Sequence, residues 1–207
     1  WPDQVAWLLD NKTQASVIDV AGKSFDLSHP REKLWLPIVS HFFLISNNER
    51  LNGLKALELA CGVALPKLAP EKYSAVSWQQ LAEMQANGIE IGGHTVTHPS
   101  LGHMELAEAA EEIQRSYDDL SRFLGEKERS FCYPNGTPLD YSVGVRQAVA
   151  DAKYTAAVTA FSDKFNTDIP FAWRRVVGSE QEFHFYKSLF GVQQLGNRVR
   201  NTKRCDY

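Results

Sequence analysis

The sequence predicts an α/β fold with parallel strands over its larger, C-terminal part, and three observations carry that prediction. From Ser77 onward, helical and strand-like segments alternate, which is the pattern of βαβ units and not of hairpins. Residues 105–124 keep one face apolar through Leu106, Ala110, Ile113, Tyr117, Leu120 and Leu124, at helical spacing. Gly88-Ile89-Glu90-Ile91 alternates like a strand and runs into Gly92-Gly93-His94-Thr95-Val96-Thr97-His98-Pro99, so two imidazoles stand where a strand ends.

The remaining elements follow in order. Residues 3–10 predict a short helix with Val5, Leu8 and Leu9 on one face. Residues 16–20 and 24–27 predict a hairpin around Ala21-Gly22-Lys23. Ser28-His29-Pro30-Arg31-Glu32 has the chemistry of a helix start, with Ser28 as cap. The helix after it carries Leu34, Trp35, Val39, Phe42 and Phe43, with Pro37 as a kink or break. Glu49 to Cys61 predicts a helix stopped by Gly62, and residues 65–70 a linker. Beyond it lie a helix over 77–84 that ends near Asn87-Gly88, strand 88–91 and the long helix 105–124 closed by Gly125. Strand 129–133, helix 142–153, strands 156–159 and 173–177, and helix 183–190 complete the chain. The organisation is an α-rich segment with one hairpin over residues 1–75 and an α/β part over 76–207.

Composition narrows the function. Of 207 residues, 43% are hydrophobic and 23% charged, ordinary for a globular protein, and the net charge of −3 carries no footprint for nucleic acid. No apolar run approaches the roughly 20 residues of a membrane-spanning helix. Three cysteines, Cys61, Cys132 and Cys205, make no disulfide framework. The chain opens on Trp1-Pro2-Asp3 without an initiator methionine or signal peptide, and the expectation is that further residues precede it.

His94 and His98 are the first candidates for chemistry. Imidazole is the commonest protein ligand for zinc-like ions, and a His-x3-His pair can supply two of the three protein ligands of a catalytic site. Three consecutive β-branched residues followed by Pro99 argue against a helical pair, and no Glu follows His94, which excludes the HExxH pattern. Gly92-Gly93 would let the backbone approach a ligand closely. His103, His29, His41 and His184 read as ordinary residues of their segments. Tyr133-Pro134-Asn135-Gly136 is a turn that could offer a backbone N–H to an oxyanion. Of Arg174 and Arg175, one should point inward and need an anionic partner. Asp140, Asp163 and Asp168 are loop acids without a defined place, and Asp118-Asp119 reads as solvated. The sequons at Asn11 and Asn135 read as chance matches.

Taken in order, these pieces resemble the polysaccharide deacetylase family (carbohydrate esterase family 4, the NodB homology domain). Ser77-Trp78-Gln79-Gln80-Leu81 and Asn87 to Leu101 resemble its second motif, H-[ST]-x-x-H. Glu112-Ile113 to Gly125 resembles the helix that follows. Phe131-Cys132-Tyr133-Pro134-Asn135-Gly136 resembles the third motif and Trp173-Arg174-Arg175-Val176 the fourth, so the resemblance covers about residues 76–178. The α-rich segment resembles an insertion carried by some bacterial members.

The resemblance implies a distorted (β/α)7-type barrel, here incomplete at its N-terminal strands. It implies a metal-dependent hydrolase that removes N- or O-acetyl groups from an acetylated polysaccharide. The divalent metal, zinc first, would be held by His94 and His98. The N–H of Asn135 would face the oxyanion, and Arg175 would orient the catalytic base. The family's first motif, Thr-Phe-Asp-Asp, supplies the base and the third ligand, and this chain does not contain it. Position 132 is Cys where many members have Arg, and His184 matches the fifth motif poorly. The chain alone is therefore expected to have little activity, and its uncovered strand edges suggest a homodimer. The competing readings are a non-catalytic carbohydrate-binding or pseudoenzyme domain, and a His-x3-His hydrolase of another fold.

Overall fold

A computed structural model describes residues 1–160, 169–175 and 178–192, and the chain divides into two compact units, Trp1–Ser77 and Trp78–Tyr207. Asp163, Asp168, Val176, Val177 and Cys205 lie outside the described residues.

In the first unit the order is α1 (Pro2–Asn11), β1 (Val17–Val20), β2 (Lys23–Asp26), α2 (Arg31–Phe42) and α3 (Asn47–Cys61). β1 and β2 pair antiparallel, and Ala21 and Gly22 both take positive φ (46° and 79°), as a two-residue turn of this handedness requires. Ser46 and Glu49 form a reciprocal capping box at the start of α3, and Gly62 ends it in the left-handed conformation. Val5, Leu8, Ile18, Phe25, Leu27, Ile38, Phe42 and Leu57 form the buried core. Two expectations change. α2 starts at Arg31 with Pro30 as its cap, because the Ser28 N–H donates to Asp26 Oδ1 at 2.9 Å in the preceding turn. Pro37 sits inside α2 without ending it.

In the second unit the order is α4 (Trp78–Ala86), α5 (Leu106–Leu124), β3 (Ser130–Cys132), α6 (Val143–Asp151), β4 (Ala156–Thr159), β5 (Trp173–Arg174) and α7 (Glu182–Leu189). β3, β4 and β5 form a parallel sheet in that order, and Gly93 adds one parallel bridge to Phe131 on the free side of β3. α5 and α6 are thus the crossovers of successive βαβ units. Ile113, Phe131, Tyr133, Tyr141, Val149, Tyr154 and Ala157 are buried in one cluster. The fold is mixed α/β, and among the described residues the sheet does not close into a barrel.

The expected strand over 88–91 is replaced by irregular chain. Its hydrogen bonds run to the end of α4 and to side chains instead of a ladder, and the Ile89 N–H donates to Met84 O at 3.0 Å. Ile91 O accepts from the Arg129 guanidinium at 2.9 Å, and Glu90 Oε1 accepts from Ser130 Oγ at 2.6 Å. The buried face of α5 is also rotated from the expected one. Ala109, Glu112, Ile113, Ser116, Leu120 and Leu124 are buried, whereas Leu106 is 51% exposed.

Candidate functional site

The site residues gather at the carboxyl ends of parallel elements: His94 and His98 after the Gly93 bridge, Asn135 after β3, Thr159 at the end of β4 and Arg175 after β5. This is where open and closed α/β sheets place their ligands.

The His turn is not helical. Thr95 and His98 both adopt positive φ (66° and 55°), which costs of the order of 1–3 kcal/mol per non-glycine residue, so the surroundings must impose it. They do so through Glu112. Its carboxylate, 8% exposed on α5, accepts from the N–H of Val96 (2.8 Å), the N–H of Thr97 (2.9 Å) and Thr97 Oγ1 (2.8 Å). Thr95 Oγ1 also accepts from the His98 N–H at 3.1 Å. Hydrogen bonds to a charged acceptor contribute roughly 1.5–3 kcal/mol each, enough together to offset the strain.

The turn brings the two imidazoles together, with ring centroids 4.9 Å apart at 74°. His94 Nδ1 lies 2.6 Å from Cys132 O. A carbonyl only accepts, so Nδ1 is the donor there, which leaves Nε2 as the nitrogen that a metal would use. One imidazole is thereby oriented by the backbone beside a second. Among the described residues, no cluster of three or more His, Cys, Asp or Glu is placed to hold an ion.

The glycines before the pair serve packing, a correction to the expectation that they admit a ligand. A Cβ on Gly93 would stand 2.0 Å from the Tyr154 hydroxyl, and one on Gly92 2.8 Å from Ser130 O. Burial pushes the Tyr154 phenol up to about 12, with only part of that offset by its hydrogen bond to Ser116.

The Pro134-Asn135-Gly136 turn is fixed against the end of β4. Gly136 has φ 58°, a Cβ there would meet Ala160 N at 2.3 Å, and the Ala160 N–H donates to Gly136 O at 3.0 Å. Asn135 is half-buried, and no acceptor among the described residues takes its N–H. Of the two arginines, Arg174 is the inward one. It is 6% exposed, donates to Ala172 O at 2.9 Å and lies over the Tyr141 ring. Arg175 is exposed, donates from Nε to Thr159 O at 3.0 Å, and its charge reaches the Cys132 thiol. Burial raises the Cys132 pKa, and Arg175 opposes that rise. His41 bonds Val20 O in the first unit, and His184 is exposed on α7.

Three supporting residues escaped the sequence reading. Glu112 carried a signal, since it is a charge set between Ala109 and Ser116 on the buried stripe of α5. Asp140 completes a capping box with Thr137, a T-x-x-D spacing legible in the chain. Arg129, 2% exposed, pins Ile91 O, Gly125 O and Gln85 Oε1, and no local pattern marks it.

Fold and site together define a parallel α/β protein with its polar groups at the strand ends. The family model for polysaccharide deacetylase matches residues 38–157, more than half of the chain. The chain belongs to the polysaccharide deacetylase family, a family of hydrolases. No curated protein sequence matches it. Among solved structures it is similar to a Streptococcus pyogenes deacetylase, PplD, in complex with acetate, at 24% identity and TM-score 0.43, over 51% of this chain and 46% of that one. It is also similar to a de-N-acetylase from Aggregatibacter actinomycetemcomitans, at 18% identity and TM-score 0.47, over 66% of this chain and 68% of that one. The chain thus spans about half the length of the Streptococcus protein.

Proposed function

We propose that the second unit carries part of the active site of a metal-dependent hydrolase that removes acetyl groups from a polysaccharide, as N- or O-deacetylation. Residues 1–75 are read as an insertion and 76–207 as the C-terminal part of a distorted (β/α)7-type barrel.

The observation that carries this reading is the His94–Cys132 hydrogen bond beside His98, which prepares one imidazole as a ligand next to a second. His94 and His98 would hold the ion, with zinc first because imidazole with a carboxylate is a common catalytic zinc ligand set. When bound, the ion would polarise an acetyl carbonyl and lower the pKa of its water. Asn135 offers its N–H to the oxygen that gains charge during attack, and in a dry site such a donor is worth several kcal/mol. Arg175, held by Thr159 O, would orient the carboxylate that acts as base.

That carboxylate and the third ligand belong to a Thr-Phe-Asp-Asp motif absent from this sequence. The 207-residue chain by itself is therefore expected to bind zinc weakly and to release little acetate. The second reading, a non-catalytic carbohydrate-binding domain, is favoured by the two-ligand site.

Calorimetric zinc titration separates the readings. Micromolar binding by the chain, lost in the His94→Ala, His98→Ala double variant, is expected. Sugar binding that persists in chelator, with no zinc affinity to lose, would replace the first reading with the second. Strong acetate release by the isolated chain would overturn the expectation that its site is incomplete.

A further inference from the structure

The two turns of the site come from different βαβ units, yet one buried carboxylate bonds a residue just beyond each. Asp140, 1% exposed, lies in the single turn Pro138–Tyr141. Its Oδ1 accepts from Ser100 Oγ at 2.7 Å, two residues beyond His98. Its Oδ2 accepts from the Thr137 N–H at 3.1 Å and from Thr137 Oγ1 at 2.5 Å, two residues beyond Asn135. Ser100 is itself 7% exposed, so the bond between the turns is shielded from water.

A capping box alone would explain the Thr137 contacts, but it does not require Ser100. A Ser hydroxyl at the protein surface would be satisfied by water. Here it is buried and spends its proton on a residue 40 positions away. Pro99 stiffens the link between His98 and Ser100, because its ring fixes φ. Displacing Asp140 would therefore move His98 relative to Asn135.

We infer that Asp140 is a positioning residue. Its carboxylate locks the His94–His98 turn to the Pro134–Gly136 turn, so that the imidazole ligands and the Asn135 N–H address one acetyl carbonyl. The inference rests on the deacetylase reading above. It predicts that a change at Ser100 is felt across the link, at Thr137 and at Ala160, which Ser100 does not bond.

The test is hydrogen exchange by NMR on the full chain, with cobalt(II) as a paramagnetic probe of the His pair. In Ser100→Ala, the amides of Thr137 and Ala160 should exchange about fivefold faster, as expected when a local opening loses one restraint. Asp140→Asn should retain wild-type exchange. Its carbonyl can face Thr137 while its amide donates to Ser100 Oγ, and the hydroxyl then turns to accept. With cobalt bound, the shift it induces at the Asn135 amide should be kept in Asp140→Asn and altered in Ser100→Ala.

Unchanged exchange at Thr137 and Ala160 in Ser100→Ala would overturn the inference. So would an unchanged cobalt shift at Asn135 in that variant. If the wild-type chain binds no cobalt while the exchange effect is present, the metal reading falls and the lock between the turns stands.

Discussion

The two units bury different chemistry. Among the described residues, the first unit has Arg50 as its buried charged residue in an otherwise apolar interior. The second buries Ser100, Glu112, Ser116, Arg129, Asp140, Thr159 and Arg174. Burying a polar group is costly unless it is hydrogen-bonded, so such residues are kept where they hold something in place. In the second unit they hold turns: Glu112 the His turn, Asp140 both site turns, Arg129 the chain that enters the first of them. One unit is stabilised mainly by packing, whereas the other directs much of its interior toward a geometry.

The comparison can be broken most easily at Leu57, which has no exposed surface. Leu57→Ala should cost about 2–5 kcal/mol in denaturant unfolding, whereas Leu57→Met should cost less than about 1.5 kcal/mol. If the methionine variant were as unstable as the alanine one, the first unit would depend on more than packing.

The matching change in the second unit is at Glu112. Glu112→Ala should weaken zinc binding roughly 10- to 100-fold in calorimetry, the range found when groups that orient metal ligands are removed. Glu112→Gln should lose far less, because its oxygen can still accept from the N–H groups of Val96 and Thr97. Equal losses in the two variants would make the charge, and not the shape of the turn, the important quantity.

The smallest effect concerns Tyr154. Its folded pKa is raised to about 12 by burial, so the folded unit disfavours the phenolate. Between the ordinary tyrosine value of about 10 and that raised value, the unfolded chain loses its proton first. Stability should therefore be fully present below pH ~10 and fall as pH rises toward the folded value. Tyr154→Phe should flatten that part of the curve of Tm against pH, and an identical slope in both proteins would remove Tyr154 as the cause.

The elements were largely legible because they depend on local chemistry. Gly62 and Gly125 end helices, and Ala156–Thr159 is a strand at the expected positions. The non-helical His turn also followed from Thr95, Val96, Thr97 and Pro99. The strand at 88–91 did not form as expected, because its carbonyl partner is a guanidinium from residue 129. The role given to Gly93 changed for a similar reason, since the side chain that fills its space is Tyr154.

By itself, the sequence determined where most of the helices and strands run, that the second unit is parallel α/β, and that the two imidazoles lie in a non-helical turn. These rest on spacing, caps and β-branching, which act over a few residues. Only the tertiary structure decided the tautomer of His94, the inward arginine, and the carboxylates that shape the site. The tautomer and the carboxylates depend on hydrogen bonds between residues 15 to 40 positions apart, such as Glu112 with Thr97 and Asp140 with Ser100, and the arginine lies over the distant Tyr141 ring. Burial makes such bonds strong, and only the folded chain brings their partners together.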